Sequence, residues 1–239
     1  MLIPLRNKGM TQPFYQAEAR FHVAVDCIIL GFMDNELKVL VYKRTFEPLL
    51  GQWSLMGGFV KSGESINEAA SRVLTDCTGI PELYMEQLGA YGEVARDLGE
   101  RVISIAYYAL VNIGKFDPQI LEKHHAEWVK IDEVPQLIFD HNQMLQDALT
   151  VLKRKAATRP IGFNLLPDKF TLPQLQALYE AIYQTPIDKR NFRKKIKAMD
   201  FLVQLNTKDK LNSKRGAFFY KFDAVKYTKL HEQGVYFSL

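Results

Sequence analysis

The charge of this 239-residue sequence changes sign at one point along the chain. Residues 1–152 contain 13 Lys and Arg against 20 Asp and Glu, a net charge of −7, whereas residues 153–239 contain 18 against 7, a net charge of +11. A chain of this length holds one large or two smaller domains, and a basic segment behind an acidic one favours two. The basic segment is expected to bind a polyanion, and nucleic acid explains it better than a merely solvated surface.

The boundary between the two parts follows a predicted helix. Apolar residues between positions 141 and 155 recur at helical spacing, and the segment ends in three cations, which suit the negative end of a helix dipole. Arg159-Pro160-Ile161-Gly162 then ends the helix. We therefore predict a first domain over residues 1–155, a short linker, and a second domain over residues 160–239.

Strand and helix signals are mixed in the first part, which predicts an α+β fold. Residues 21–32 and 37–44 are strand-like and flank an Asp34-Asn35 turn. Further strand-like runs follow at residues 88–95, 102–112 and 126–130. Residues 64–78 form a predicted helix, with Ser65 and Glu68 as a capping box and Gly79 at the C-terminal stop.

The stretch from Gly57 to Ile80 is the most specific motif of the chain. It resembles the Nudix box, whose pattern is G-x5-E-x7-R-E-U-x-E-E-x-G-U, with U an aliphatic residue. The positions that match in register are Gly58, Glu64, Arg72, Leu74, Gly79 and Ile80. The resemblance implies a Nudix fold, an α/β/α sandwich, for the first domain.

Three positions of the box differ from the pattern. Nudix hydrolases hold divalent cations with helix carboxylates, but here Val73, Asp76 and Cys77 replace glutamates. A valine has no oxygen and a thiol is a poor ligand for Mg²⁺, so we predict no enzyme, no catalytic residue, no metal and no cofactor. Glu68, Arg72 and Asp76 lie at i, i+4 and i+8, which predicts a ladder of salt bridges along the helix.

The cleft of such a domain is expected to bind a ligand instead of cleaving it. Acids, bases and aromatic rings on the strands that face the box suit a polyhydroxylated ligand such as a sugar or a nucleotide. The candidates are His22, Lys43, Arg44, Trp53, Glu93, Arg96, Asp97, Arg101 and Tyr107. A solvated position is the alternative for the charged ones, and a core position for Trp53 and Tyr107. Adjacent His124 and His125 have no ligand partner at metal spacing, and we interpret them as a loop.

The second domain contains two predicted helices joined by a tight turn. Thr171 is a candidate N-cap with Pro173 in the first turn. Asp188 caps the next helix, whose buried stripe consists of Phe192, Ile196 and Met199. The rest of that helix is cationic, which is the surface that major-groove docking requires.

Two strand-like runs, residues 201–206 and 217–222, follow the basic helix and enclose a basic tip. Helix, turn, basic helix and hairpin together predict a winged helix-turn-helix. Arg and Asn can pair with guanine and adenine, and Lys neutralises phosphates. The predicted DNA-binding residues are Lys189, Arg190, Asn191, Arg193, Lys194 and Lys197 on the helix, and Lys208, Lys210, Lys214 and Arg215 in the wing. A protein-interaction module of the same fold is the alternative.

A degenerate Nudix domain followed by a winged helix resembles the NrtR-like family of transcriptional regulators. The resemblance includes the segments 87–92, 96–97, 104–110 and 190–195. It implies a dimeric repressor that binds operator DNA and senses a small-molecule effector, a sugar or a nucleotide sugar. Because the box has lost more carboxylates than a diphosphate–Mg²⁺ site tolerates, we expect the arabinose-responsive AraR-type branch, with a sugar such as L-arabinose as effector.

Two alternatives and the cellular location complete the sequence-based expectations. The alternatives are a regulator of NrtR type that senses ADP-ribose or a related nucleotide, and an active Nudix pyrophosphohydrolase. No apolar run of about 18 residues and no signal-peptide pattern occurs, so a cytoplasmic protein without a membrane partner is expected. The resemblance implies that it is a homodimer. Cys27 and Cys77 lie in apolar segments and are expected to be buried free thiols.

Overall fold

A computed structural model describes residues 17–79, 83–115, 118–210, 216–234 and 237 of the chain. Its first two strands, β1 (His22–Met33) and β2 (Glu36–Lys43), form an antiparallel hairpin. Asp34 and Asn35 connect them with φ of 55° and 64°, the left-handed conformations that a tight two-residue hairpin turn requires. The predicted hairpin is confirmed.

β1 is the middle strand of a seven-stranded mixed sheet. It pairs in parallel with β6 (Val102–Val111) and antiparallel with β2 and β4 (Met56–Phe59). β2 also pairs with β3 (Trp53–Ser54) and with β7 (Ala126–Lys130). The strand β1 therefore contributes side chains to both faces at the centre of the domain.

β5 forms the outer edge of the sheet beside β6, and it comprises Tyr84–Tyr91. The sequence predicted this strand over residues 88–95, which is four residues too late. Residues 92–95 leave the sheet and enter the loop that connects β5 to β6. That loop forms part of a cavity wall described below.

Helices cover both faces of this sheet, as the α/β/α sandwich requires. α1 (Ile66–Thr78) and α2 (Pro118–Lys123) lie on one face, and α3 (His141–Thr158) lies on the other. Side chains of β6 alternate between the faces, so Tyr107 packs towards α1 and Tyr108 packs towards α3. Cys27 and Cys77 are buried free thiols on the α1 face. The predicted fold class is confirmed.

The C-terminal part is a winged helix. Its helices are α4 (Leu172–Tyr183), α5 (Lys189–Ala198) and α6 (Ala224–Glu232), and its wing is β9 (Leu202–Asp209) with β10 (Ala217–Phe222). The short β8 (Phe170–Thr171) adds a third strand beside β10. Neither β8 nor α6 was expected from the sequence. Within the described ranges, no helix is both long and apolar enough to cross a lipid bilayer.

The junction between the two domains is packed. The predicted linker, residues 156–159, consists of the end of α3, which extends to Thr158, and its C-cap Arg159. A 3-10 helix, Pro160–Leu165, follows and buries Ile161 and Leu165. One hydrophobic cluster contains Leu152 of α3 together with Leu175 of α4 and the sheet residues beneath them. The two domains therefore share a core, and the exact boundary at residues 155–160 stays a prediction.

Candidate functional site

The loop and helix that resemble the Nudix box have the predicted caps. Ser65 is the N-cap of α1, and its hydroxyl accepts a hydrogen bond from the Glu68 backbone N–H, while the Glu68 carboxylate accepts one from the Ser65 N–H. Gly79 ends the helix with φ of 71°, a conformation that favours glycine. The capping box and the C-terminal stop are confirmed.

Arg72 of the box binds Glu64 and closes the loop before α1. Its Nη2 lies 2.6 Å from Oε1 of Glu64 and its Nε lies 2.9 Å from Oε2, while a further bond goes to the Phe59 carbonyl. Arg72 and the Lys61 backbone N–H lower the pKa of Glu64 to about 2. The predicted ladder through Glu68 is therefore wrong, because Glu68 caps α1 and Arg72 pairs with Glu64.

A cavity of about 610 Å³ lies above β1 and β4, and we call it the main cavity. Its walls come from the ends of those strands, from the loops at residues 44–48 and 96–100, and from the start of α3. This volume lies in the range of pockets that hold small molecules and cofactors, about 300–1,000 Å³.

The floor of the main cavity is a buried polar network centred on Asp26. Ser104 Oγ donates to Asp26 Oδ2 over 2.6 Å, and Arg96 Nη2 lies 3.5 Å from the same oxygen. Arg96 also forms a two-pronged ion pair with Asp140, with distances of 2.7 and 2.9 Å. Burial raises the pKa of Asp26, but His141, Ser104 and Arg96 together outweigh it, so the pKa lies below its usual value. Asp26 is therefore a carboxylate at neutral pH.

His141 joins the floor to the first turn of α3. Its Nδ1 faces the Leu55 backbone N–H at 3.2 Å, and its Nε2 lies 3.6 Å from Asp26 Oδ1. Because Nδ1 accepts from Leu55, the proton of a neutral ring lies on Nε2 and points towards Asp26. Asp26 stands out in the sequence as one charged residue within an apolar strand, a signal that the sequence analysis did not use.

Arg44 lies at the wall of the main cavity between two aromatic rings. Its guanidinium carbon is 4.1 Å from the centre of the Phe46 ring and 5.9 Å from that of Phe139. Its Nε donates to the Pro48 carbonyl over 2.8 Å, which fixes the side chain. A held cation flanked by aromatic rings suits a planar or anionic ligand.

Four of the predicted ligand-binding residues line the main cavity: His22, Arg44, Arg96 and Asp97. His22 Nε2 lies 2.7 Å from Glu100 Oε2, and its ring packs against Phe59 with centroids 5.4 Å apart. Because strand pairing brings β1 beside β6, these residues from three distant segments share one wall.

Five further predicted residues do not line the main cavity: Lys43, Trp53, Glu93, Arg101 and Tyr107. Tyr107 is buried under α1 with its hydroxyl bound to Asn67, because odd positions of β6 face α1. Trp53 packs against the core on the α3 side, with the Lys43 ammonium 4.8 Å from its ring centre. These three assignments to the cavity are corrected.

Arg101 and Glu93 lie beside the main cavity in the β5–β6 connection. Arg101 donates to the carbonyls of Gly92 and Glu93 over 2.7 and 2.9 Å, so its guanidinium holds the loop together. Glu93 lines a neighbouring surface depression with Val94 and Leu98. Both residues support the cavity wall instead of facing its interior.

α5 presents a cationic face on the other domain. Asp188 caps the helix by accepting a hydrogen bond from the Asn191 backbone N–H over 2.8 Å, and Phe192 and Ile196 are buried beneath it, as predicted. The predicted residues Lys189, Arg190, Asn191, Lys194 and Lys197 are exposed, and so is Lys195. Arg193 is half-buried, so it lies at the edge of that cationic face.

The wing carries further exposed cations. Lys208 and Lys210 are exposed, and the Lys208 ammonium lies 4.4 Å from the centre of the Phe218 ring. Lys214 and Arg215 lie outside the described residues. α5 and the wing therefore both carry exposed cations, and their roles in DNA binding stay predictions.

Comparison with known domain families gives two matches. Residues 20–148 match the NUDIX domain, and residues 162–222 match the NrtR DNA-binding winged helix domain. The first match contains the main cavity, and the second contains α4, α5 and the wing.

Three known proteins similar to this chain share one or both domains. An ADPR responsive transcriptional repressor, NtrR, from Acinetobacter baylyi is 31% identical over 209 residues, which are 86% of this chain and 83% of that protein. The crystal structure of Shewanella oneidensis NrtR complexed with a 27mer DNA has a TM-score of 0.76 at 30% identity and covers 84% of this chain and 93% of that one. An ADP-ribose pyrophosphatase of Methanocaldococcus jannaschii is 34% identical over 125 residues, which are 52% of this chain and 71% of that protein.

Proposed function

The chain belongs to the NrtR family of Nudix-related transcriptional regulators, and from that premise we propose that it is an ADP-ribose-responsive repressor. The winged helix binds operator DNA, and ADP-ribose in the main cavity releases it. The observation that carries this proposal is the similarity to the ADPR responsive repressor of Acinetobacter baylyi over 86% of the chain. The L-arabinose expected from the sequence has no support among these relatives, so it serves below as a competing ligand.

The main cavity has the chemistry that a nucleotide sugar needs. Arg44 and Arg96 supply positive charge, Phe46 and Phe139 supply aromatic faces, and the Asp26 carboxylate can accept bonds from ribose hydroxyls. A volume of about 610 Å³ accommodates a ligand of this size. The assignment of these residues to ADP-ribose is part of the proposal.

Operator binding is assigned to the exposed cations of α5 and the wing. α5 enters the major groove, where Arg190 and Asn191 reach base edges and the lysines bind phosphates. The fold match to a family member complexed with DNA supports this assignment. A homodimer with two such helices would read half-sites one helical turn apart, about 34–36 Å.

α3 is the element through which the ligand acts on DNA binding. Asp140 and His141 at its first turn belong to the cavity floor, while Lys153 near its other end donates to Gln184 Oε1 over 2.9 Å. Gln184 ends α4 directly before the turn into α5. The 18 residues of α3 span about 27 Å. A ligand that shifts the first turn of α3 therefore also shifts the end of α4, from which the chain turns into α5.

A selection and release assay tests the proposed function. The full-length chain selects its operator from random-sequence duplexes, and gel shifts then measure operator affinity with ADP-ribose, L-arabinose or neither. We expect ADP-ribose to weaken operator binding by about 5–150-fold, the usual range of allosteric coupling. Arg44→Ala should abolish the response without changing the affinity of the ligand-free protein, whereas the exposed Arg20→Ala should behave as wild type.

Two outcomes would replace the proposal. Release by L-arabinose alone would establish the arabinose-responsive branch in its place. A hydrolase is the second candidate, because the Methanocaldococcus jannaschii relative is an ADP-ribose pyrophosphatase. Release of AMP from ADP-ribose with Mg²⁺ or Mn²⁺ at enzymatic rates would favour that activity, and we expect none.

A further inference from the structure

A second, smaller cleft lies directly beside the main cavity, and we call it the box cleft. It has a volume of about 260 Å³ and lies between α1 and the turn that joins α2 to β7. Tyr42, Phe46 and Gly57 line both the box cleft and the main cavity. A single extended ligand could therefore occupy both spaces.

Gly57 lies at the boundary of the two spaces and leaves no room for a side chain. A Cβ built on this residue would lie 2.3 Å from Asp26 Oδ1 and 2.8 Å from the Val25 carbonyl. Any side chain at this position would therefore displace the carboxylate at the floor of the main cavity. Tyr42, Phe46 and Gly57 are the residues that the linings of the two cavities share.

Four of the residues that line the box cleft are basic. These are Arg72 on α1, Lys123 at the end of α2, and His124 and His125 on the turn that follows, and Asp76 is the one carboxylate of this lining. His124 Nε2 is buried and has no hydrogen-bond partner among the residues that the structure describes. A buried ring nitrogen of this kind is suited to a ligand that supplies the missing partner.

The residues of the box cleft do not fit a divalent cation. Val73 offers no oxygen, and burial together with Asp76 raises the pKa of the Cys77 thiol to about 12, so the thiol stays protonated. Both oxygens of Glu64 are bound by Arg72. Within the described ranges, no group of three His, Cys, Asp or Glu residues has an arrangement that could hold a metal ion.

We propose that the box cleft binds the diphosphate of the effector directly, with Lys123, His124 and His125 in the role that divalent cations fill in Nudix hydrolases. This inference rests on the proposed function for the identity of the effector. The nucleoside then lies in the main cavity, and the diphosphate enters the box cleft beside the residues that both linings share. Without a metal to activate water, the cleft recognises the diphosphate and leaves it intact.

Calorimetric titration of the full-length chain tests the box cleft. ADP-ribose and inorganic diphosphate are the probes, each measured once in EDTA and once in MgCl₂. We expect equal affinities in the two buffers. Lys123→Ala should weaken both probes by about 10-fold or more, because it removes a charge-assisted bond. Lys123→Arg should retain most of the affinity, and Lys130→Ala, which removes an equal charge on nearby β7, should bind as wild type.

The results separate this inference from the proposed function. If ADP-ribose binding requires Mg²⁺, or if Lys123→Ala leaves it unchanged, the proposal that the box cleft binds the diphosphate is wrong. The assignment of ADP-ribose as the effector then still holds. If diphosphate binds in a way that depends on Lys123 but ADP-ribose does not bind, the diphosphate site in the box cleft is supported. ADP-ribose is then excluded as the effector. Failure of wild type to bind either probe overturns both. Circular dichroism of each variant establishes that it is folded.

Discussion

The two domains of this protein use their charges in opposite ways. In the Nudix domain Arg96 is buried between Asp26 and Asp140, and Arg72 holds Glu64. α5 carries six cations and no acid in ten residues, and none of the six forms an ion pair within the described part of the chain. Paired charges fix the shape of a cavity, whereas unpaired charges on a surface require a partner from outside.

The largest expected effect is the removal of the buried cation. Arg96→Leu leaves Asp26 and Asp140 without their shared partner, and we expect the free energy of unfolding to fall by about 3–5 kcal/mol. Urea denaturation followed by circular dichroism measures the change. The exposed Arg20→Leu is the matched control and should shift stability by less than about 0.5 kcal/mol. Equal stabilities would show that the paired charges contribute nothing to the fold.

Removal of the unpaired cations should weaken DNA binding and leave the fold intact. The triple variant Arg190→Ala, Lys194→Ala and Lys197→Ala removes up to three phosphate or base contacts. We expect the slope of log affinity against log salt to fall by about three, with stability unchanged to within about 1 kcal/mol. Fluorescence anisotropy with the selected operator over a salt series measures the slope. An unchanged slope would exclude α5 from the interface.

A pH series sharpens the comparison at Asp26. Because its pKa is lowered in the folded state, its contribution to stability is present above its ordinary pKa of about 3.9 and is lost as the pH falls through the folded-state value. When the pH is lowered from 5 through the folded-state pKa, the free energy of unfolding should therefore fall more for wild type than for Asp26→Asn. Urea denaturation midpoints measured at a series of pH values compare the two proteins. If the midpoints of both depend on pH in the same way, the network does not stabilise the Asp26 carboxylate.

The smallest expected effects are at the helix caps, one in each domain. Ser65→Ala and Asp188→Ala each remove a side-chain bond to a free backbone N–H, at about 1 kcal/mol of unfolding free energy. Asp188→Ala also removes an acid beside the cationic face of α5, so operator affinity should not fall. Thermal melts and gel shifts measure both properties. A marked loss of operator affinity would mean that the cap sets the orientation of α5.

Local features of the fold were predictable because they depend on neighbouring residues. The caps at Ser65, Thr171 and Asp188 and the turn at Asp34-Asn35 each involve residues a few positions apart. β5 was placed four residues late, because its pairing partner on β6 decides where it ends. The short β8 was missed for the same reason, since two residues carry no pattern of their own.

The candidate site was predicted only in part. His22, Arg44, Arg96 and Asp97 were chosen for their residue types and do line the main cavity, but Tyr107 faces α1. A slip of one position along β6 exchanges the two faces of the sheet, and composition gives no information about that choice.

By itself, the sequence determined the two domains, their order and the cationic character of α5, because charge and short-range spacing are properties of the chain alone. The tertiary structure decided which side chains share a cavity. Ser104 binds Asp26 across 78 residues and Arg96 binds Asp140 across 44, and such contacts exist only once β1, β6 and α3 have packed together. Packing also decided that the 3-10 helix after α3 is part of a common core, because its apolar side chains lie in one cluster with residues of both domains.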